Sequence, residues 1–320
     1  MLPCKMTPAF RHGADTPWGG TALREVFGKR IPDDTTGESL EVSVLDGLQS
    51  RDAQGRPLDA LLREGGQAAR GTQVGETFPL LLKLIHARER LSVQVHPGDA
   101  YAAAHEGGKL GKTEAWVILD APPGAKLVYG IVPGTTREAL RDAAAEGAAV
   151  ERFLRWQTVS PGDVLYIPAG MVHAIGEGIL LYEIQQSSDV TYRFWDWDRR
   201  DAQGNARPLH IAKGLDVVDV SLALPPCQGE RRRVTGGFCT RLIDDPIFTL
   251  DRLEVTGNLP LEEMPQRFRL LTALCEGWLA HPGGAISFRP GDSMFIPADS
   301  PRVKLECKGT LLLAAPGTSA

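Results

Sequence analysis

The sequence predicts a mainly β protein built from two related β-domains with a small helical insertion. Three observations carry that expectation. Glycine and proline are abundant, 35 and 23 residues in a chain of 320, and they punctuate many short runs rich in Val, Ile and Leu, the pattern of a β-sandwich or barrel. One segment occurs twice: Pro161-Gly162-Asp163 leading to Ile167-Pro168-Ala169 is echoed by Pro290-Gly291-Asp292 leading to Ile296-Pro297-Ala298. The first copy also carries a long insert, including helix-forming residues near Thr136 to Leu154, which the second lacks.

Taken in order, residues 1–36 read as an irregular or partly helical lead-in, with Trp18-Gly19-Gly20 as a turn and Leu23 to Phe27 as a short helix. Residues 37–44 alternate as a strand. Leu58 to Glu64 reads as a short helix that Gly65-Gly66 ends. Phe78 to His86 is an apolar run with Lys83 in its middle, and that lysine either snorkels out or faces a cavity. Glu114 opens a second apolar run to Leu119. Pro122-Pro123-Gly124 turns into a strand over 126–131, and Thr135 or Thr136 caps a helix running to about Leu154. The Pro-Gly turn at Pro161 delivers the strand 164–168, and the proline after Ile167 stops it. From Ile179, residues Leu181, Glu183 and Gln185 share one face and Leu180, Tyr182 and Ile184 the other. Thr191 to Arg199 mixes aromatic and charged residues, as a surface strand or a polar pocket wall would. Pro208 to about Val220 looks helical. Pro225-Pro226 and the solvated run Arg231 to Arg233 then mark a linker, giving domains at 1–230 and 231–320. In the repeat, Arg302 falls where His173 stands, and Glu276-Gly-Trp278 echoes Glu114-Ala-Trp116. Only the first copy retains a candidate metal site.

Composition excludes several classes. Hydrophobic content of 42% and charged content of 23% describe a globular chain. The net charge of −5 argues against nucleic acid as a partner, and no apolar run reaches membrane-spanning length. Met1 to Phe10 has no signal-peptide core. Five cysteines without a CxxC pair suggest reduced thiols and a cytoplasmic location. No GxGxxG after a strand, P-loop or G-x-S-x-G elbow is present.

The chemistry concentrates between Ser92 and Glu114. On a strand, Ser92, Gln94 and His96 lie opposite Leu91, Val93 and Val95, so Gln94 and His96 point the same way with tips close enough to grip one ion. With Glu114 and His173 they form a set of one amide oxygen, two imidazoles and one carboxylate, which suits zinc or another divalent first-row metal. The bland reading of each histidine is a satisfied polar residue on a strand.

The motifs Trp18-Gly19-Gly20, Phe78 to Lys83, Leu91 to Pro97, Gly111-Lys112-Thr113-Glu114, Ile167 to Gly170 with His173, and Glu183 to Arg193 resemble, taken together, the type I mannose-6-phosphate isomerases in their short bacterial form, members of the cupin superfamily. The resemblance covers most of the chain and implies two cupin (jelly-roll) β-domains, the second structural, with only a small helical cap. It implies Zn2+ held by Gln94, His96, Glu114 and His173, a cavity lined by Lys83, Lys112 and Arg193, and Ser92 and Arg199 holding phosphate. The implied reaction interconverts mannose 6-phosphate and fructose 6-phosphate through a cis-enediol, by proton abstraction rather than by the alternative hydride shift. Lys112, near a metal ion and an arginine that disfavour its charge, is the candidate acid/base, with Lys83 second; both lysines acting only on phosphate or an oxyanion is the plainer reading. Arg193 stays protonated and is assigned electrostatic support. The rival readings are a cupin oxygenase using Fe(II) and a non-catalytic sugar-binding cupin.

Overall fold

The computed structural model describes residues 1–317. The chain opens with β1 (Cys4–Met6), β2 (Ala9–Arg11), α1 (Ala22–Phe27) and β3 (Glu38–Val42). Helix α2 (Leu58–Arg70) runs past the glycines expected to end it. Gly66 leaves helical geometry at φ 54°, but the next turn resumes and buries Ala69, so the glycines kink the helix. There follow β4 (Leu80–Ala87), β5 (Val93–Val95), α3 (Asp99–His105), β6 (Glu114–Asp120) and β7 (Lys126–Ile131). Helix α4 (Arg137–Ala145) starts at Thr136, whose hydroxyl accepts a hydrogen bond from the Ala139 amide at 3.1 Å. It stops short of Leu154 because Gly147 turns left-handed and the chain tightens into a 3-10 segment. β8 (Leu154–Thr158), β9 (Val164–Ile167), β10 (His173–Ala174), β11 (Ile179–Gln186), β12 (Tyr192–Trp195) and α5 (Ile211–Val217) follow. The last stretch is all β: β13 (Glu230–Val234), β14 (Gly237–Asp244), β15 (Phe248–Pro260), β16 (Arg269–Ala273), β17 (Gly277–His281), β18 (Gly284–Phe288), β19 (Ser293–Ile296) and β20 (Lys304–Pro316). Arg231 to Arg233 therefore belong to a strand rather than a linker. They are solvated, on the sheet's outer edge, where charge discourages further pairing.

Side-chain alternation explains how these strands stack. A six-stranded sheet, β2-β3-β4-β11-β6-β9, faces a five-stranded sheet, β12-β5-β10-β7-β8. Trp116, Tyr129, Leu165, Ile167 and Leu181 fill the space between them. The helical insert covers the outer face of the five-stranded sheet, with Leu140, Ala144 and Val150 against Val93, Val95 and Val128. The outer face of the six-stranded sheet packs on the C-terminal sheet, where Leu82, Tyr182 and Ile184 share a core with Phe248, Phe268 and Leu270. Alternate residues of β16 divide accordingly: Leu270 enters that shared core, while Leu271 and Ala273 enter the interior of the second barrel. Strand β1, inside the stretch read as an irregular lead-in, pairs with β19 in the C-terminal sheet; three residues are too few to show a period.

The register revises one part of the internal repeat. Ile167 of β9 stands opposite Glu114. Its counterpart Ile296 of β19 stands opposite Arg269. Arg269, not Glu276, therefore occupies the place of Glu114 in the second copy. Glu276 precedes β17, a strand that pairs with β18 and β20 instead. Arg302 is exposed.

One close approach tests this packing. A Cβ added at Gly176, two residues beyond β10, would lie 1.7 Å from the Lys126 carbonyl oxygen. Gly176→Ala is expected to lower stability by about 1–3 kcal/mol or more in urea denaturation, whereas Gly75→Ala, with open space around it, should leave the midpoint unchanged.

Candidate metal centre

Two imidazoles and a carboxylate converge inside the first barrel. The ring Nε2 atoms of His96 and His173 are 3.1 Å apart. Glu114 Oε2 is 3.6 Å from His96 Nε2, and its Oε1 is 3.3 Å from His173 Nε2. All three side chains are buried. Gln94 stands directly across the ladder from His173, on β5 beside β10, so its side chain shares that face.

The imidazoles are held for ligation from behind. His96 Nδ1 faces the Val190 carbonyl at 2.9 Å, and His173 Nδ1 faces the Met171 carbonyl at 2.9 Å. A carbonyl only accepts, so each Nδ1 carries the proton and each Nε2 presents a lone pair to the same point. Burial, reinforced by Lys112, holds both histidines far below the usual imidazole range, His173 at about 3. Both rings are thus neutral, as ligands must be. Burial pushes Glu114 up to about 7 against the pull of Lys112, and its Oε1 finds no hydrogen-bond partner among the described residues. Lone pairs and an orphaned carboxylate oxygen aimed at one point fit a cation. The Lys112 ammonium reaches that point, 2.8 Å from His96 Nε2 and 2.6 Å from Glu114 Oε2.

The loop that delivers Lys112 is tightly fixed. Lys112 N–H bonds the Pro97 carbonyl, and Thr113 N–H bonds Gln186 Oε1 at 2.9 Å. Gln186 Nε2 donates to Asp99, which also accepts from the Gly111 amide. At Gly111 a Cβ would come within 2.6 Å of the backbone at Gly98 and Asp99, so a side chain has no room. Gln186 and Ser188, which bonds the Leu110 carbonyl, therefore act as braces for the loop.

Lys112 and Gln94 also line the adjoining cavity, together with Lys83, Ser92, Thr191 and Arg193. Lys83 faces this cavity rather than snorkelling. Its ammonium lies 3.3 Å from Glu38 and 3.2 Å from Glu183, whose other oxygen accepts from Trp116 Nε1 at 2.8 Å. Burial opposes the Lys83 charge, but the two carboxylates overcome it and hold its pKa above the ordinary value. The two carboxylates therefore favour the charged form of Lys83. Arg193 donates from Nη1 to the Pro208 carbonyl, while its buried Nε has no partner among the described residues. Arg199 is not brought into the cavity: it binds Asp196 at 2.9 Å and the Arg90 carbonyl at 2.7 Å. Arg207, held by two 2.7 Å bonds to Asp196, and Arg11 line the wall instead. Sequence reasoning missed these two and the Glu38–Glu183 pair. The shared face of Leu181, Glu183 and Gln185 was the available signal for Glu183. Loop-borne Arg207 has no period to reveal it.

Fold and site together define a two-barrel β protein of cupin type with a buried His96–Glu114–His173 cluster that could hold a metal ion, beside a cavity lined by charged side chains. Residues 6–110 match the model of the phosphomannose isomerase type I catalytic domain. The chain is 37% identical to mannose-6-phosphate isomerase ManA of Bacillus subtilis, covering 95% of this chain and 96% of that protein. It is 36% identical to mannose-6-phosphate isomerase of Streptococcus mutans over 88% of each. The crystal structure of the mannose 6-phosphate isomerase from Bacillus subtilis superposes with a TM-score of 0.90 at 31% identity, covering 98% of this chain and 99% of that one. The chain belongs to the type I phosphomannose isomerase family, and it is an isomerase.

Lys83 is the test of the buried charge balance. Lys83→Ala leaves Glu183 without its cation and Glu38 with only Arg11 at 3.8 Å, and should cost about 3–5 kcal/mol, read from the denaturation midpoint.

Proposed function

We propose that this enzyme interconverts D-mannose 6-phosphate and D-fructose 6-phosphate, with zinc held by Gln94, His96, Glu114 and His173. The observation that carries the reading is the convergence of both Nε2 lone pairs and the Glu114 carboxylate on one buried point that Lys112 also touches. This mixed nitrogen and oxygen set suits zinc. A bound zinc ion supplies positive charge that stabilises negative charge developing on the sugar's C1 and C2 oxygens.

The chain's own residues do the rest. Lys112 acts as the base and takes the C2 proton of the open-chain aldose. The C–H pair becomes the C1–C2 double bond, and the carbonyl pair moves to O1 as a cis-enediolate. The ammonium then returns its proton to C1 while the O2 proton passes to O1, leaving the ketose with no oxidant or reductant needed. Lys83, fixed as a cation by Glu38 and Glu183, and the Arg193 guanidinium stabilise the enediolate electrostatically. Ser92 and Arg207, rather than Arg199, are the groups best placed on the cavity wall to meet the phosphate. Five free cysteines agree with a reducing, cytoplasmic setting, and among the described residues no helix is long and apolar enough to cross a membrane.

Fructose 6-phosphate formation from mannose 6-phosphate should vanish on chelation and return with zinc. In D2O, deuterium should appear at C1 of the product, and a product without deuterium would replace proton transfer by hydride shift. Lys112→Ala should lower kcat by about 10²–10⁴-fold with one zinc per chain retained. Absence of turnover in zinc-loaded protein would leave a sugar-binding cupin.

A further inference from the structure

The second barrel carries a buried cation where the first carries its ligand carboxylate. Arg269 occupies the place of Glu114, as the Ile296 and Ile167 registers show. It is 1% exposed and points toward the interior side of β16. Its Nη1 donates to the Glu262 carbonyl oxygen at 2.6 Å. Its Nε and Nη2 are buried and find no hydrogen-bond partner among the described residues. Those two N–H groups leave one edge of the guanidinium in parallel, the fork that matches two oxygens of a carboxylate or phosphate.

Arg269 lines a cavity of about 450 Å³, within the range of small-molecule sites. Arg267, Arg232 and Arg241 share the lining, with Thr249 and Asp251 opposite. Asp251 is already committed to Arg241, at 2.6 Å from its Nε. Arg267 donates to the Pro316 carbonyl, and among the described residues neither Arg267 nor Arg269 has a carboxylate within ion-pair distance. Glu262 at the mouth is exposed and offers Arg269 only its backbone oxygen. Burying a guanidinium without a counter-charge is costly, and an anion paired with the Nε–Nη2 edge would relieve that cost.

We propose that the C-terminal barrel is a binding site for a small molecule bearing an oxyanion, a phosphate or a carboxylate, gripped by the Nε–Nη2 edge of Arg269 with Arg267 beside it. The duplicated fold thus presents a cation site in one barrel and an anion site at the equivalent position of the other.

Calorimetric titration of the full zinc-loaded chain with inorganic phosphate, and separately with malonate, tests this. Whichever anion is the better match should show a site that weakens at least tenfold in Arg269→Met and Arg269→Lys, because lysine keeps the charge and loses the fork. The same anion's inhibition constant at the isomerase site should not change in either variant, which separates the two barrels. Isomerase turnover within twofold of the unsubstituted enzyme reports that each variant is folded. If Arg269→Met unfolds, Arg267→Gln should still weaken the site. Titration curves unaltered by these substitutions, or no saturable binding beyond the isomerase site, would overturn the proposal.

Discussion

Two imidazole lone pairs and a carboxylate held at one dry point is the constraint on which the first barrel depends. Such a set is repulsive unless a cation sits among it. The surrounding structure supplies the conditions for one: backbone carbonyls fix both histidine tautomers, and burial keeps the rings neutral. Glu114 on β6 and Gln94 and His173 on β5 and β10 come from two facing sheets, so ladder registers set their spacing, while His96 stands one residue past the end of β5. The loop carrying Lys112 is the exception, and it is braced through Gln186, Ser188 and Asp99.

A second buried charge system stands beside the first. Lys83 sits on β4 opposite Glu183 of β11, which itself stands opposite Trp116 of β6. Three neighbouring strands thus place a cation, an anion and an indole donor in one row. The row pairs Lys83 with two carboxylates that favour its charged form, while Lys112 pairs with Glu114 at 2.6 Å.

The Gln94 strand, the Ile179 strand and a helix cap at Thr135 or Thr136 were legible because alternation and short motifs report local geometry, whereas a cavity lined by Lys83, Lys112 and Arg193 was implied by the family resemblance. What failed needed long-range register. Glu276-Gly-Trp278 imitates Glu114-Ala-Trp116 in letters, yet β19 pairs with β16, and Arg269 takes that place. The family resemblance implied Arg199 as a phosphate ligand; Asp196 and the Arg90 carbonyl hold it outside the cavity. Helix ends at Gly66 and Gly147 were misjudged in opposite directions, since a glycine permits a break without saying whether packing resumes beyond it.

The proposed chemistry rests on one metal ion bound among His96, His173, Glu114 and Gln94. X-ray diffraction recorded on both sides of the zinc absorption edge, on crystals grown with one equivalent of zinc, tests it most directly. A single anomalous peak is expected inside the first barrel, with two imidazole nitrogens at about 2.0–2.1 Å and oxygen ligands from the carboxylate and the amide. A peak elsewhere, or zinc held without His96 and His173, would contradict it.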